Sequence, residues 1–232
     1  MEKIFQNKGY ENKAFLNRQN MNLGFNYSMD AENYKDSGDI LINSALSGRI
    51  KNDKIIKQAI FLYRHAIELT LKAIIYTGIL LEANELSEKE FKDSFGNTTN
   101  HLLNDLYKNA KKYIEKYLAR DIRDNPKGLK IIEEGINEFD KIDERSTGTR
   151  YPANIFRKNN EKKQIDIFKV DRNLFGNNNE HYGVCLITLV ENFDNFFNKL
   201  NGSFLVIYNI YESQDSRFEL LPEKEWEKLR KK

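Results

Sequence analysis

The stretch FLYRHAIELTLKAII, residues 61–75, decides the fold class because it lies in the most regular hydrophobic pattern of the chain. In and before it, apolar residues recur at intervals of four and three. This is the period of an α-helix that buries one face. The residues of this stripe are Ile56, Ile60, Tyr63, Ile67, Leu71 and Ile74. The pattern predicts a long helix over about residues 53–80.

Weaker signals of the same kind predict further helices before and after this one. Ser28 is a suitable N-cap for a first helix that ends near Ala45. Asn100 is placed to cap a later helix, and Pro126 suits the first position of the next one. A last long helix is expected over about residues 180–200.

Two segments rich in β-branched and aromatic residues interrupt this helical pattern late in the chain. They are QIDIFKV at 164–170 and SFLVIYNIY at 203–211, and both predict strands. The fold class is therefore mainly α, an antiparallel helical bundle with a small late β element. We divide the chain into an N-terminal extension (1–27), the bundle (28–202) and a C-terminal strand with a short helix (203–232).

Composition limits the classes of protein to which the chain can belong. With 232 residues, 40% of them hydrophobic, it can bury one large core. The net charge of only +2 does not by itself indicate nucleic-acid binding. No apolar run approaches the roughly 18 residues of a membrane span, and residues 1–20 do not read as a secretory signal. A single cysteine is typical of a reducing compartment, so we expect a cytoplasmic protein with no membrane contact.

Charged and polar side chains lie on one flank of the long predicted helix. Arg64, Glu68 and Lys72 follow one another at intervals of four residues, and His65 lies beside them. An arginine can hold phosphate and a histidine can move protons, so this flank is a candidate site. The alternative is an ordinary solvated flank without a function.

A second candidate region is the basic segment 145–172. It contains eight basic residues against three acidic ones, a local net charge of +5 that exceeds the net charge of the chain. Such a concentration favours contact with a phosphate backbone. The alternative is a basic surface hairpin without a ligand. The basic residues are Arg145, Arg150, Arg157, Lys158, Lys162, Lys163, Lys169 and Arg172.

Metal and cofactor sites are not expected. The sequence has no Walker loop, no GxGxxG and no HExxH motif. One cysteine and three scattered histidines do not form a familiar zinc site. We expect Cys185 to pack on the inward face of the last helix rather than to act as a nucleophile.

Three motifs in order resemble those of HEPN-domain proteins, helical bundles common in bacterial toxin–antitoxin and antiphage systems. These motifs are YRHAIELTLKAI on the long helix, HLL at the opening of a later helix, and a loop that ends in RYP. The resemblance covers about residues 28–200. The matching positions are Arg64, His65, Glu68 and Lys72, then His101 with Leu102 and Leu103, then Arg150, Tyr151 and Pro152.

The resemblance implies a function, because many HEPN proteins are metal-independent endoribonucleases. They typically dimerise and place an arginine and a histidine of each protomer in a shared cleft. The resemblance thus implies RNA as the substrate, a homodimer, and an antitoxin or another defence protein as a partner. The implied catalytic residues are Arg64, His65, Glu68, His101, Arg150 and Tyr151. The predicted RNA contacts are Arg145, Arg157, Lys158, Lys162, Lys163 and Arg172.

The chain departs from the nuclease signature of that family at one point. The closest match to its Arg-to-His motif is Arg172-Asn173 followed by His181, and the eight residues between Arg172 and His181 exceed the spacing of the signature. A non-catalytic HEPN-like module that dimerises or binds RNA, a nucleotide or a protein therefore stays open beside the ribonuclease. A third interpretation is a structural helical protein, in which Arg64, Glu68 and Arg150 are exposed and far apart.

Overall fold

The computed structural model describes residues 22–82, 102–142, 154–158, 161–165 and 185–219. Within these residues the protein is mainly α-helical and its helices pack together, which confirms the predicted fold class. The helices are α1 (Leu23–Leu46), α2 (Asn52–Glu82), α3 (Leu103–Tyr117), α4 (Ala119–Asp124), α5 (Pro126–Ile142) and α6 (Leu186–Glu219).

Helix α2 is the centre of the described bundle and confirms the helix predicted from its stripe. It packs against α1, α3 and α6, and apolar or small side chains cover most of its circumference. A helix that is apolar on most sides is a buried one. The stripe residues Ile60, Tyr63, Ile67, Leu71 and Ile74 are all buried.

Helices α2 and α3 approach closely where a glycine leaves room for a ring. A Cβ atom on Gly78 would overlap the ring of Tyr113, which is buried between the two helices. Glycine at this position lets the helices meet, although glycine in a helix interior costs about 1 kcal/mol relative to alanine.

Helix α1 begins earlier than its sequence predicts. The side chain of Asn22 caps it by accepting a hydrogen bond from the backbone nitrogen of Gly24 at 2.8 Å. The predicted N-cap, Ser28, instead lies inside the helix and is buried. Its hydroxyl donates to Asn201 of α6 at 3.2 Å, and Asn201 donates to Glu32 at 2.9 Å. The serine thus joins two helices instead of starting one.

The strand predicted over 203–211 is wrong, because these residues continue α6. Phe204 and Ile207 follow Leu200 at helical spacing, and all three are fully buried. Burial of one helical face therefore outweighs the β-propensity of the segment. The C-terminal strand of our domain division becomes part of a helix that extends to Glu219.

The described strands form a two-stranded antiparallel hairpin within the basic segment. They are β1 (Asn154–Lys158) and β2 (Glu161–Ile165), with Asn154 opposite Ile165. The strand predicted at 164–170 overlaps β2 only at its first two positions, and 166–170 lie outside the described residues.

Candidate functional site

The polar side chains of α2 converge on one carboxylate, that of Glu68. Lys72 donates a hydrogen bond from Nζ to Glu68 Oε1 at 2.7 Å. Arg64 Nη1 lies 3.7 Å and His65 Nδ1 lies 3.8 Å from Glu68 Oε2. Intervals of three and four residues on a helix place all four side chains on neighbouring positions of one flank. We call these four residues the α2 polar cluster.

The inner half of the α2 polar cluster is buried and its outer half reaches solvent. The side chains of Arg64 and Glu68 are 0% and 2% exposed, whereas those of His65 and Lys72 are 27% and 15% exposed. The alternative of a solvated flank is therefore wrong for Arg64 and Glu68. The third interpretation also expects both residues to be exposed and far apart, and that expectation is wrong for Arg64 and Glu68, whereas Arg150 lies outside the described residues. The spacing of residues along the sequence could not reveal the burial of Arg64 and Glu68, because it does not show which neighbours cover a flank.

The electrostatics of the α2 polar cluster follow from this burial. Among its members, one carboxylate lies next to two basic side chains, Arg64 and Lys72. Charges interact more strongly at a partly buried site than in water. Arg64 lies on the buried side of Glu68, whereas the ammonium of Lys72 lies on the side that is partly exposed to solvent. The outer edge, with Lys72 and His65, is the part of the cluster that a ligand could reach.

The imidazole of His65 is held between two aromatic rings that the sequence interpretation missed. The ring of Tyr34 on α1 meets it edge to face at a centroid distance of 4.4 Å. The ring of Phe61 lies nearly parallel to it at 5.9 Å. Phe61 precedes His65 by one helical turn, and this spacing was the available signal. The contact with Tyr34 depends on how α1 packs, so no local pattern indicates it.

A second polar group joins α1, α2 and α6 and was also missed. The hydroxyl of Tyr63 donates to Asp39 Oδ1 at 2.5 Å. Lys35 Nζ lies 2.6 Å from Asp39 Oδ2 and 2.7 Å from Asp194 Oδ1. Burial, and then the hydrogen bond to Asp39, raises the pKa of Tyr63 far above the usual range. Burial alone lowers the pKa of Lys35, but the carboxylates of Asp194 and Asp39 outweigh it and raise that pKa. These groups keep their protons and stabilise the helix packing.

The structure brings together only part of the predicted site. Arg64, His65 and Glu68 meet in the α2 polar cluster. The side chains on the hairpin are not described, but its register places Arg157 directly opposite Lys162. Lys158 and Lys163 are on the same two strands. The predicted residues outside the described ranges are His101, Arg145, Arg150, Tyr151 and Arg172.

The prediction that Cys185 is buried is wrong, because its side chain is exposed. Helix α6 begins one residue later, at Leu186, so the cysteine precedes the first turn and lies off the inward face. Hydrogen bonds with the side chain and then the backbone of Thr188 lower the pKa of its thiol.

Neither a metal site nor a membrane span is found in the described part of the chain. There, no three His, Cys, Asp or Glu side chains are placed to hold a metal ion. None of the described helices combines the length and the apolar character needed to cross a membrane.

Comparisons with known proteins give no match. No family model matches the sequence, and neither a curated protein nor a solved structure matches the chain. The resemblance to HEPN-domain proteins therefore rests on the sequence motifs alone.

Proposed function

We propose that this chain is an HEPN-like RNA-binding module of a bacterial toxin or antiphage defence system. The observation that carries the proposal is the α2 polar cluster, in which a buried Arg64–Glu68 pair lies next to a partly exposed Lys72 and His65. An ammonium is a point charge that suits a phosphate oxygen. The hydrogen bond to Glu68 holds Lys72 in place before a ligand arrives.

Two further features support RNA as the ligand. The segment 145–172 carries a net charge of +5, whereas the whole chain, which includes this segment, carries +2. Phosphate contacts by lysine and arginine supply most of the sequence-independent affinity for nucleic acids. The HEPN-like motifs point to RNA independently of this charge.

Metal-independent cleavage of RNA is a second candidate function, and the placement of His65 favours it. An imidazole next to a carboxylate can take the proton of an RNA 2′-hydroxyl as that oxygen attacks the adjacent phosphate. The P–O5′ bond breaks in the same reaction, the 5′-oxygen leaves with a proton from water, and a 2′,3′-cyclic phosphate remains. Lys72 would stabilise the charge that develops on the phosphate. In this version Arg64 is a positioning residue, because its buried guanidinium acts through Glu68 and not on the RNA.

The resemblance also leads us to propose a cytoplasmic homodimer that acts with an antitoxin or another defence protein. Sedimentation velocity of the purified chain should give twice the mass of one chain. A single species with the mass of one chain at all concentrations would rule out the homodimer.

RNA binding is tested by fluorescence anisotropy with a labelled RNA, at several salt concentrations and in EDTA. We expect Lys72→Met to weaken binding about tenfold and to reduce the salt dependence, because one phosphate contact is lost. The matched control is Lys111→Met, which removes a lysine paired with Glu133 on another surface. Equal affinities of wild type, Lys72→Met and Lys111→Met would overturn the proposed site.

Cleavage is tested on the same mixtures by gel electrophoresis. If the chain is a ribonuclease, the wild type cleaves RNA in EDTA and His65→Ala abolishes cleavage. Arg150→Ala tests the predicted RYP loop in the same way. If the chain binds RNA but does not cleave it, RNA binding stands as the proposed function. The chain alone is then not a ribonuclease.

A further inference from the structure

Aromatic rings surround the outer edge of the α2 polar cluster. Tyr34 and Phe61 contact the imidazole of His65, and both residues are partly exposed to solvent. Tyr76, farther along α2, is also half-buried and lies against Gly24 of α1. We call Tyr34, Phe61, His65, Lys72 and Tyr76 the aromatic row.

The members of the aromatic row on α2 lie on one side of the helix. Phe61, His65, Lys72 and Tyr76 are separated by intervals of four, seven and four residues. These intervals are close to whole helical turns, so the four side chains project in similar directions. At about 1.5 Å per residue, the row extends over roughly 22 Å.

Helix α1 borders this row at two levels. Tyr34 meets His65 near the middle of α2, and Gly24 meets Tyr76 near its end. The order of these contacts shows that the two helices run antiparallel. The partly exposed Tyr34 and Phe61 and the partly exposed Lys72 therefore lie along the boundary between α1 and α2.

We infer that this face binds single-stranded RNA by stacking unpaired bases on Tyr34 and Phe61, while Lys72 contacts a phosphate. The inference rests on the RNA binding proposed above and names the class of RNA. Aromatic rings that accompany basic side chains are typical of surfaces that bind single strands. In a duplex the bases are stacked on one another and cannot reach these rings, so the face favours unpaired RNA.

The inference predicts a preference that can be measured directly. A labelled oligoribonucleotide is titrated with the full chain by fluorescence anisotropy, alone and annealed to its complement. We expect the single strand to bind at least tenfold more tightly than the duplex. Phe61→Leu and Tyr34→Leu should each weaken single-strand binding roughly 5- to 150-fold, the range found for loss of one base–aromatic stack. Duplex binding should change less.

The matched control is Tyr117→Leu, which removes another half-buried tyrosine beside a lysine, Lys116, on α3. It should leave both affinities unchanged. Circular dichroism and thermal unfolding of each variant identify a ring substitution that acts only through folding.

The outcomes separate the inference from the proposed function. Equal binding of single strand and duplex, or ring variants that bind like Tyr117→Leu, would overturn stacking and leave RNA binding by charge intact. Binding of neither form would overturn the proposed RNA-binding function and the inference with it.

Discussion

At the scale of single residues, Glu68 holds the α2 polar cluster together. Its buried carboxylate accepts a hydrogen bond from Lys72 and lies near Arg64 and His65. When one partner of a buried ion pair is removed, the charge of the other partner loses that compensation and stays buried. We therefore expect Glu68→Gln to lower the free energy of unfolding by about 3 kcal/mol.

Urea denaturation of wild type and Glu68→Gln measures this loss. The control is Glu133→Gln, which removes a carboxylate that pairs with Lys111 at a half-exposed site. A surface pair contributes about 1 kcal/mol or less, so the control should cost little. Equal losses for the two variants would contradict the structural role of the buried pair.

Tyr63 is the residue for which the structure predicts a pH dependence. Its pKa is raised above the ordinary value of 10.0, by burial first and by the hydrogen bond to Asp39 second. Because the folded state holds the proton of Tyr63 more tightly than the unfolded state does, protonated Tyr63 stabilises the fold. This stabilisation is complete below pH 10 and declines as the pH rises above it. Each unit above pH 10 should remove about 1.4 kcal/mol from the free energy of unfolding through this group.

The variant Tyr63→Phe isolates that effect, because it keeps the ring stacked on Phe193 at 4.0 Å and loses only the hydroxyl. Near pH 8 it should be less stable than wild type by about 1–2 kcal/mol, since a hydrogen bond to a charged group is lost. The difference should shrink by about 1.4 kcal/mol between pH 9 and 11. A difference that stays constant over this range would show that Tyr63 titrates normally.

At the scale of elements, glycines in helix interiors distinguish close packing from open surface. Gly78→Ala places a methyl group into the ring of Tyr113, so we expect a loss of about 1–3 kcal/mol despite the better helix propensity of alanine. Gly202→Ala on α6 meets nothing within 4 Å. It should stabilise the fold by about 0.5–1 kcal/mol. Thermal unfolding of both variants checks the opposite signs, and two changes of the same sign would contradict the packing of α2 on α3.

The sequence predicts some helices of this protein well and others poorly. Helix α2 was predictable because its stripe keeps a helical period over several turns. The segment 203–211 was not, because its residue types favour a strand and only their burial within the bundle makes them helical. The start of α1 was missed because Ser28 is a good cap by type but has a partner, Asn201, that is distant in sequence.

At the scale of the whole molecule, the common flank of Arg64, Glu68 and Lys72 was predictable from the sequence, whereas the burial of this flank was not. The spacing of Arg64, Glu68 and Lys72 places them on one flank, as the structure confirms. Their burial depends on the packing of other elements against α2, which no local pattern contains. Tyr34 joins His65 only through the docking of α1 on α2.

We propose that RNA binds along the face between α1 and α2. Photo-crosslinking of a single-stranded RNA with a photoreactive base, followed by protease digestion and mass spectrometry, tests it most directly. We predict crosslinked peptides from α1 and α2 that contain Tyr34, Phe61 or His65, with a lower yield in Lys72→Met and an unchanged yield in Lys111→Met. Crosslinks confined to other segments, including the basic segment 145–172, would contradict the claim.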